Sequence, residues 1–249
     1  MIIDINGYCG KWPYWKPKYD GIEDLIHIMD AHRIQSAAIC STRGIFLDWI
    51  EGNEEALSPA SVHPDRLIPF GTFCPGDFKS DLEPLKGHFE RGLRGLRLFP
   101  QHHLYRLSEE PAVHRAVEIA AQAGAPVLIP VRLLMDWRLP ALAVPDVGSL
   151  ARSFPQVPII LGGVNYGELR DTLHLLRSYP NTLLETSCFQ ILKGVDQLVQ
   201  SVGADRILFG ANLPLQSAPC QLEKVLSAEI GDSDRERILG GNAEGLLGG

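Results

Sequence analysis

The sequence predicts an α/β fold of the (β/α)8 type, a TIM barrel, formed as one domain by residues 1–249. Eight short apolar segments alternate with eight amphipathic ones, which is the element count of such a barrel. The apolar segments are nearly continuous in Ile, Leu and Val, as strands buried on both faces of a parallel sheet are. A doubly wound sheet is the alternative, but neither G-x-G-x-x-G after the first strand nor G-x-x-x-x-G-K-[ST] occurs.

The predicted strands are bounded by Gly, Pro and Asp, which interrupt regular structure. In chain order they are Ile2–Ile5, Ser36–Cys40, Leu67–Phe73, Gly95–Phe99, Pro126–Arg132, Pro158–Gly162, Thr182–Thr186 and Arg206–Phe209.

The predicted helices show apolar residues at helical spacing. They are Ile22–His32, Leu47–Ser61, Asp81–Arg91, Ala112–Ala123, Val147–Phe154, Leu169–Ser178, Gly194–Val202 and Gln221–Glu229. Gly92, Gly124 and Gly203 are expected to end three of them. Asp146 is a candidate N-cap, and so is Asp232 for a short C-terminal helix. The His residues on these helices are expected to be solvated.

Composition excludes several classes of protein. No apolar run approaches the ~20 residues of a membrane span, and no secretory signal pattern is visible at the N-terminus. With a net charge of −7 and no basic cluster, the chain is not expected to bind nucleic acid. Five cysteines without metal-ligand spacing are typical of free thiols in a reducing cytosol, so a cytoplasmic location is expected.

Five segments occur in an order and spacing that carry a family resemblance. They are Met1–Asp4, His63–Leu67, Gly92–Leu98, Asp205–Gly210 and Ile238–Ala243. Together they resemble the amidohydrolase superfamily, in particular its amidohydrolase-2 branch of metal-dependent hydrolases and decarboxylases. The resemblance covers nearly the whole chain and implies a TIM barrel with its site at the C-terminal mouth.

The sequence departs from this family at its metal ligands. The family has D-x-H-x-H on the first strand, where two imidazoles on one face bind a divalent ion. Asn6 and Tyr8 occupy those two His positions here. The His positions of strands five and six fall on Pro130 and Gly163, and the Asp position of strand eight falls on Asn212. A divergent member without metal ligands or another cofactor is therefore expected.

Side chains two apart on a strand share a face, so the family's site positions indicate which residues of this chain point into the mouth. Most of those residues are polar. The substrate-binding candidates are Asn6, Trp12, Arg97, Arg132, Asn165, Glu185 and Asn212. Arg97 lies where the family often has an inward Lys. The forks of Arg97 and Arg132 match carboxylate or phosphate geometry, which predicts a small anionic ligand. The alternative is that Arg97 pairs with Glu185 as internal barrel structure.

The catalytic candidates are His102, His103 and Tyr8. Both His residues follow the fourth strand, at the barrel end where catalytic residues are found, and one would exchange a proton with the substrate. Alternatively, one His caps a backbone carbonyl while the other is solvated, or both bind a metal with a carboxylate.

Aromatic and thiol side chains also fall near the mouth. Trp12, Tyr14 and Trp15 follow the first strand, and Asp136–Arg138, with Trp137, follows the fifth. These aromatics would form a pocket wall or lid, or else a hydrophobic plug or subunit contact. Cys9, Cys40, Cys74 and Cys188 lie at or just after the ends of four strands. Two interpretations are open: one of them acts as a nucleophile, or they are small buried residues.

Three functions are compatible with these residues. The first is a metal-independent hydrolase or lyase acting on a small, anionic, carboxylate-bearing molecule. The second is a catalytically inactive homologue that binds a small molecule or regulates a partner. The third is a metallohydrolase with rearranged ligands. A homo-oligomer is compatible with each, and neither nucleic acid nor a membrane is expected as a partner.

Overall fold

Eight parallel strands are neighbours in chain order around one sheet. The computed structural model describes residues 1–19, 21–76, 81–134 and 139–248. Its strands are β1 (Ile3–Cys9), β2 (Ser36–Ser41), β3 (Leu67–Thr72), β4 (Gly95–Arg97), β5 (Val127–Pro130), β6 (Ile159–Gly162), β7 (Thr182–Glu185) and β8 (Ile207–Leu208). The predicted order is confirmed, although β1 continues past the predicted end at Ile5 to Cys9.

Contacts between β1 and the residues after β8 close the sheet. The amide of Ile5 donates to Phe209 at 3.0 Å, and the amide of Tyr8 donates to Leu213 at 2.7 Å. The buried carboxylate of Asp4 accepts from the amide of Ala211 at 2.7 Å. Burial raises the pKa of Asp4 to about 6, against the opposing effect of its backbone N–H donors. The predicted (β/α)8 barrel is thus confirmed.

The helices are α1 (Ile22–Ala31), α2 (Thr42–Phe46), α3 (Trp49–Val62), α4 (Glu83–Glu90), α5 (Pro111–Gln122), α6 (Val144–Ser153), α7 (Leu169–Ser178), α8 (Gly194–Val202), α9 (Ala218–Leu226), α10 (Asp232–Glu236) and α11 (Asn242–Leu247). Asp146 does not cap α6, which begins at Val144 because Pro145 fits its first turn. Asp232 lies inside α10 rather than before it. No helix formed by the described residues is long and apolar enough to cross a membrane.

Alternate strand residues face two different cores. Leu128 and Ile160 point into the barrel, whereas Val127 and Ile159 pack against the helices outside it, as the period of two requires. The same alternation turns Arg97 and Glu185 inward, because the residues just before them, Leu96 and Leu184, pack outward.

His88 corrects the expectation that every His on a helix is solvated. This α4 residue is only 3% exposed, because α4 packs on α3. Its Nε2 lies 3.1 Å from Oε1 of Glu54, and its Nδ1 lies 3.3 Å from Nδ2 of Asn53. Burial lowers the pKa of His88.

Strand β1 contains a register shift just before the residues that contact Arg97. The pairing of β1 with β2 shifts between Asp4 and Gly7. Gly7 lies close to β2, since a Cβ there would be 3.1 Å from the carbonyl oxygen of Ala38. Beyond Asp4, both Asn6 and Tyr8 contact the inward-facing Arg97.

Candidate functional site

Arg97 is a fully buried positive charge inside the barrel. Its Nη1 donates to Oδ1 of Asn6 at 2.9 Å, and its Nη2 donates to the carbonyl oxygens of Ile5 at 3.3 Å and Ala38 at 3.0 Å. The guanidinium lies 5.1 Å from the ring centroid of Tyr8, within the range of cation–π attraction. These contacts hold Arg97 in one position.

Asn6 connects Arg97 to the carboxylate of Glu185. Its Nδ2 donates to Oε1 of Glu185 at 3.2 Å. Glu185 also accepts from the amides of Gly163 and Ser187, both at 2.7 Å, and from the hydroxyl of Ser187 at 2.8 Å. The pairing of Arg97 with Glu185 that the sequence left open is therefore indirect and passes through a neutral amide.

The loop after β1 stacks its aromatic rings over the barrel interior. Trp12 is 5% exposed and belongs to the interior core. Its ring makes edge-to-face contacts, with centroid distances between 5.5 and 6.2 Å, to four others, those of Tyr8, Tyr14, Trp15 and Phe46. Trp12 thus fills the top of this core, while Tyr14 and Trp15 stay partly exposed. Trp137, within Asp136–Arg138, lies outside the described residues.

His102 and Arg132 line one small cavity together with Phe99 and Pro130. Its volume is about 10 Å³, roughly the space of one water molecule. The His102 ring packs edge-on against Phe46, with 5.6 Å between centroids. His102, which is predicted to exchange a proton, therefore lines the same cavity as Arg132, which is predicted to bind the anion.

Glu168 is a site residue that the sequence analysis missed. Its Oε1 forms an ion pair with Nη2 of Arg132, and its Oε2 accepts from the amide of Asn165 at 3.1 Å. The side chain of Asn165 accepts in turn from the amide of Tyr166 at 2.7 Å and from the amide of Glu168, and the bond from Glu168 completes a capping box. The pattern N-x-x-E was the available signal. Asn165 thereby shapes the turn that presents Glu168 to Arg132.

His103 does not line the cavity that His102 and Arg132 share. Its Nε2 lies 3.1 Å from the carbonyl oxygen of Ile45, and its ring packs 5.9 Å from that of Phe99. Burial lowers the pKa of His103 to about 4, so the ring is neutral at pH 7 and Nε2 donates to Ile45. This is the alternative in which one His caps a backbone carbonyl.

Asn212 follows β8 with a φ of +50°, a conformation that Asn adopts more readily than most residues. Its Nδ2 lies 3.5 Å from Sγ of Cys188. Burial raises the thiol pKa of Cys188, and that of Cys40 to about 11. Both thiols are therefore protonated at pH 7, which disfavours the nucleophile interpretation for them.

Several polar atoms at the predicted site are buried without a hydrogen-bond partner. Among the described residues, five such buried atoms belong to site candidates: Nε1 of Trp12, Nε of Arg97, Nδ1 of His103, Nε of Arg132 and Oδ1 of Asn212. A buried polar atom without a partner costs about 1–3 kcal/mol, which a bound ligand can remove. Three of the five are N–H donors, so they favour a ligand with acceptor oxygens.

Whether this site could hold a divalent metal ion depends on the side chains at five positions. The positions where the resemblance places metal ligands hold Asn6, Tyr8, Pro130, Gly163 and Asn212. In the part of the chain that the structure describes, no three His, Cys, Asp or Glu side chains form a metal-binding group. Asn6 and Tyr8 instead contact the Arg97 cation, which would repel a second one.

The chain is similar to known proteins in sequence and in fold. The sequence model of the family described as Amidohydrolase matches residues 51–249. No curated protein sequence matches the chain.

Solved structures share its fold. A TIM-barrel protein of Bordetella bronchiseptica has a TM-score of 0.78 and 18% identity, over 99% of this chain and 98% of that one. For 5-carboxyvanillate decarboxylase of Sphingomonas paucimobilis the values are 0.75 and 13%, over 99% and 98%. For a dihydroxybenzoic acid decarboxylase of Polaromonas sp., solved with manganese and 2-nitroresorcinol, they are 0.71 and 17%, over 99% and 96%.

Proposed function

The chain belongs to the amidohydrolase family, and we propose that it is a hydrolase or lyase acting on a small carboxylate-bearing molecule at its barrel mouth. We further propose that it acts without a metal ion. The family match over residues 51–249 confirms the resemblance noted from the sequence motifs. Two of the similar structures are decarboxylases of aromatic carboxylic acids. Their names support a ligand of this class.

The observation that carries the proposal is the set of unpartnered N–H donors on Trp12, Arg97 and Arg132. A carboxylate supplies two oxygens that accept several hydrogen bonds, and bonds to a charged group are the stronger kind. Burial raises the pKa of Tyr8 well above its usual value, so its phenol stays protonated and adds a further donor. The donors outnumber the unpartnered acceptors, which favours an anion over a cation.

The described residues divide into four roles in this proposal. Arg132 and Trp12 hold the carboxylate, with Asn212 as an orienting amide. His102 exchanges the proton, since it lines the same cavity as Arg132. Arg97, held by Asn6, supplies a fixed positive potential that stabilises negative charge developing on the substrate. His103, neutral and bonded to Ile45, maintains the loop that carries His102.

Metal independence is supported by the donor set. Catalytic divalent ions are held by imidazole or carboxylate groups and need an open position for water or substrate. Here the Asn6 amide is already shared between Arg97 and Glu185. The guanidinium therefore supplies the positive charge that a metal supplies elsewhere, without a metal-bound water.

A second candidate function is ligand binding without turnover. One observation favours it: the Glu185 carboxylate already accepts four hydrogen bonds, from Asn6, Gly163 and twice from Ser187. These four donors fill the roughly four lone-pair positions of a carboxylate, so this group is already used within the barrel and is not free to contact a substrate.

Metal analysis and benzoate binding test the proposal together. Purified protein is analysed for Zn, Mn and Fe, and benzoate is titrated calorimetrically with and without EDTA. We expect binding in both buffers and no stoichiometric metal. Arg132→Met should weaken benzoate at least tenfold, whereas Arg106→Met, which removes an exposed Arg, should not. Stoichiometric metal, or a benzoate affinity that Arg132→Met leaves unchanged, would contradict the proposal.

Turnover separates the two candidate functions. A panel of dihydroxybenzoates and other aromatic acids is incubated with the protein, and product is measured by chromatography. The enzyme hypothesis expects turnover that His102→Gln abolishes while benzoate binding remains. Binding of the panel without any turnover would favour the second candidate.

A further inference from the structure

A larger cavity lies beside the mouth, between the loop after β1 and helix α3. Its volume is about 510 Å³, within the range of small-molecule pockets. Most of its wall is apolar, formed by Pro17, Tyr19, Ile22, Pro59, Val62, Pro214 and Leu215. Of the residues assigned to the carboxylate site, only Tyr8 lines it. The two sites are therefore separate apart from this side chain.

Glu55 supplies the only carboxylate among the described residues of this cavity. Its Oε2 accepts from the hydroxyl of Ser41 at 2.5 Å. It forms no ion pair with any Lys, Arg or His that the structure describes. A half-buried carboxylate in an apolar wall is stabilised by a cationic partner, because burial without one is unfavourable.

The backbone around Gly10 leaves this carboxylate accessible from the cavity. Gly10 has a φ of +83°, and a Cβ there would be 3.1 Å from Oε2 of Glu55 and 2.8 Å from Oγ1 of Thr42. The hydroxyl of Thr42 donates to the carbonyl oxygen of Lys11 at 2.9 Å, which ties the loop to α2. The loop thus approaches Glu55 closely without placing a side chain from residue 10 over it.

The remaining charges and rings of the cavity are compatible with a cation that has an apolar body. Tyr8 and Tyr19 both line it, and Nζ of Lys18 lies 4.9 Å from the Tyr19 ring centroid. That contact shows that the Tyr19 ring can pair with an ammonium group. Lys11, the one cationic lining residue among those described, is exposed to solvent.

We propose that this cavity binds a small organic amine. Its ammonium group contacts the Glu55 carboxylate, and its apolar body packs on Pro59, Val62 and Leu215. This site differs from the proposed carboxylate site in location and in the sign of its ligand, so neither proposal depends on the other.

Titration with three matched probes tests the amine site. Benzylamine is protonated at neutral pH, benzyl alcohol is its neutral counterpart, and benzoate is its anionic one. Calorimetry should show that Glu55→Gln weakens benzylamine at least tenfold and leaves benzoate unchanged. Glu118→Gln, the same charge change at an exposed position of α5, should leave benzylamine unchanged. Ser58→Phe, which inserts a ring from an exposed lining position, should abolish benzylamine binding.

Several results would overturn the amine site. They are no benzylamine binding to the wild type, equal affinities for benzylamine and benzyl alcohol, or a benzylamine affinity that Glu55→Gln leaves unchanged. Thermal unfolding of each variant establishes that it is folded. Arg132→Met reports on the other proposal alone, since it should weaken benzoate and not benzylamine.

Discussion

The guanidinium of Arg97 donates a 2.9 Å hydrogen bond to the side-chain oxygen of Asn6, at a β1 position where the family resemblance implies a histidine. The opposite end of the same amide donates to Glu185. Two buried charges of opposite sign are thereby separated by one neutral side chain, and each retains a partner. The stability of the barrel interior consequently depends on this amide.

Replacing Asn6 by Ala leaves both buried charges without their shared partner. We expect the free energy of unfolding, measured by urea titration, to fall by about 3–5 kcal/mol. The control is Gln197→Ala, which removes an exposed amide bonded to the carbonyl of Leu192 and should cost less than about 0.5 kcal/mol. A loss for Asn6→Ala as small as that of the control would show that the amide does not support these charges.

Gly210 is required for the position of the Glu185 carboxylate. A Cβ at residue 210 would lie 1.9 Å from Oε2 of Glu185, so Gly210→Ala must displace that buried group. We expect this variant to lose at least about 2 kcal/mol of stability. Gly87→Ala is the matched control, because its Cβ would meet nothing within 4 Å in α4. It should stabilise the protein by up to about 1 kcal/mol. Equal urea midpoints for the two variants would contradict this account.

Asp4 makes stability decrease as pH rises. Its pKa is about 6 in the folded protein against a usual 3.8, so the folded state holds this proton more tightly than the unfolded chain. The contribution is complete below pH 3.8 and is lost as pH rises through 6, by roughly 3 kcal/mol. Asp4→Asn should remove this dependence. As pH rises from 4 to 7, urea titrations should show the free energy of unfolding of the variant increasing relative to that of wild type. A difference that stays constant over this range would exclude the effect.

His103 has the opposite dependence. Its pKa falls from 6.5 to about 4 on folding, so its contribution is complete above pH 6.5 and is lost as pH falls towards 4, again by roughly 3 kcal/mol. Wild type should therefore lose stability relative to His103→Gln on acidification. His174→Gln, at an exposed position of α7, is the control. Because Asp4 and His103 act in opposite directions over the same pH range, their effects partly cancel in the wild-type dependence of stability on pH. Comparing wild type with each variant separates the two contributions.

Sequence patterns predicted the regular parts of the fold well. Leu169–Ser178 and Gly194–Val202 form helices with the predicted bounds, because a strong apolar periodicity runs the length of each. The segment Thr42–Phe46 was not predicted as a helix. It is too short to display a period, and Gly44 lowers its helix propensity.

The site was less predictable, because its contacts join distant residues. The strand period indicated that Asn6 and Tyr8 face the interior. It could not indicate that Asn6 bridges Arg97 and Glu185, which lie on two other strands and are 91 and 179 residues away in the sequence. His102 and His103 are adjacent in a loop, where no period distinguishes the side chain that lines a cavity from the one that caps Ile45. Their catalytic assignment stays a prediction.

The ring contacts of Trp12, Phe46 and His102 have a consequence for the kinetics of binding. The cavity beside His102 has room for about one water molecule, so a benzoate-sized molecule enters only after these rings separate. The observed affinity is then reduced by the fraction of molecules in which they are separated. In a stopped-flow experiment, the observed association rate should approach a plateau at high ligand concentration, and the plateau equals the rate of ring opening. A Trp12→Ala variant should raise that plateau.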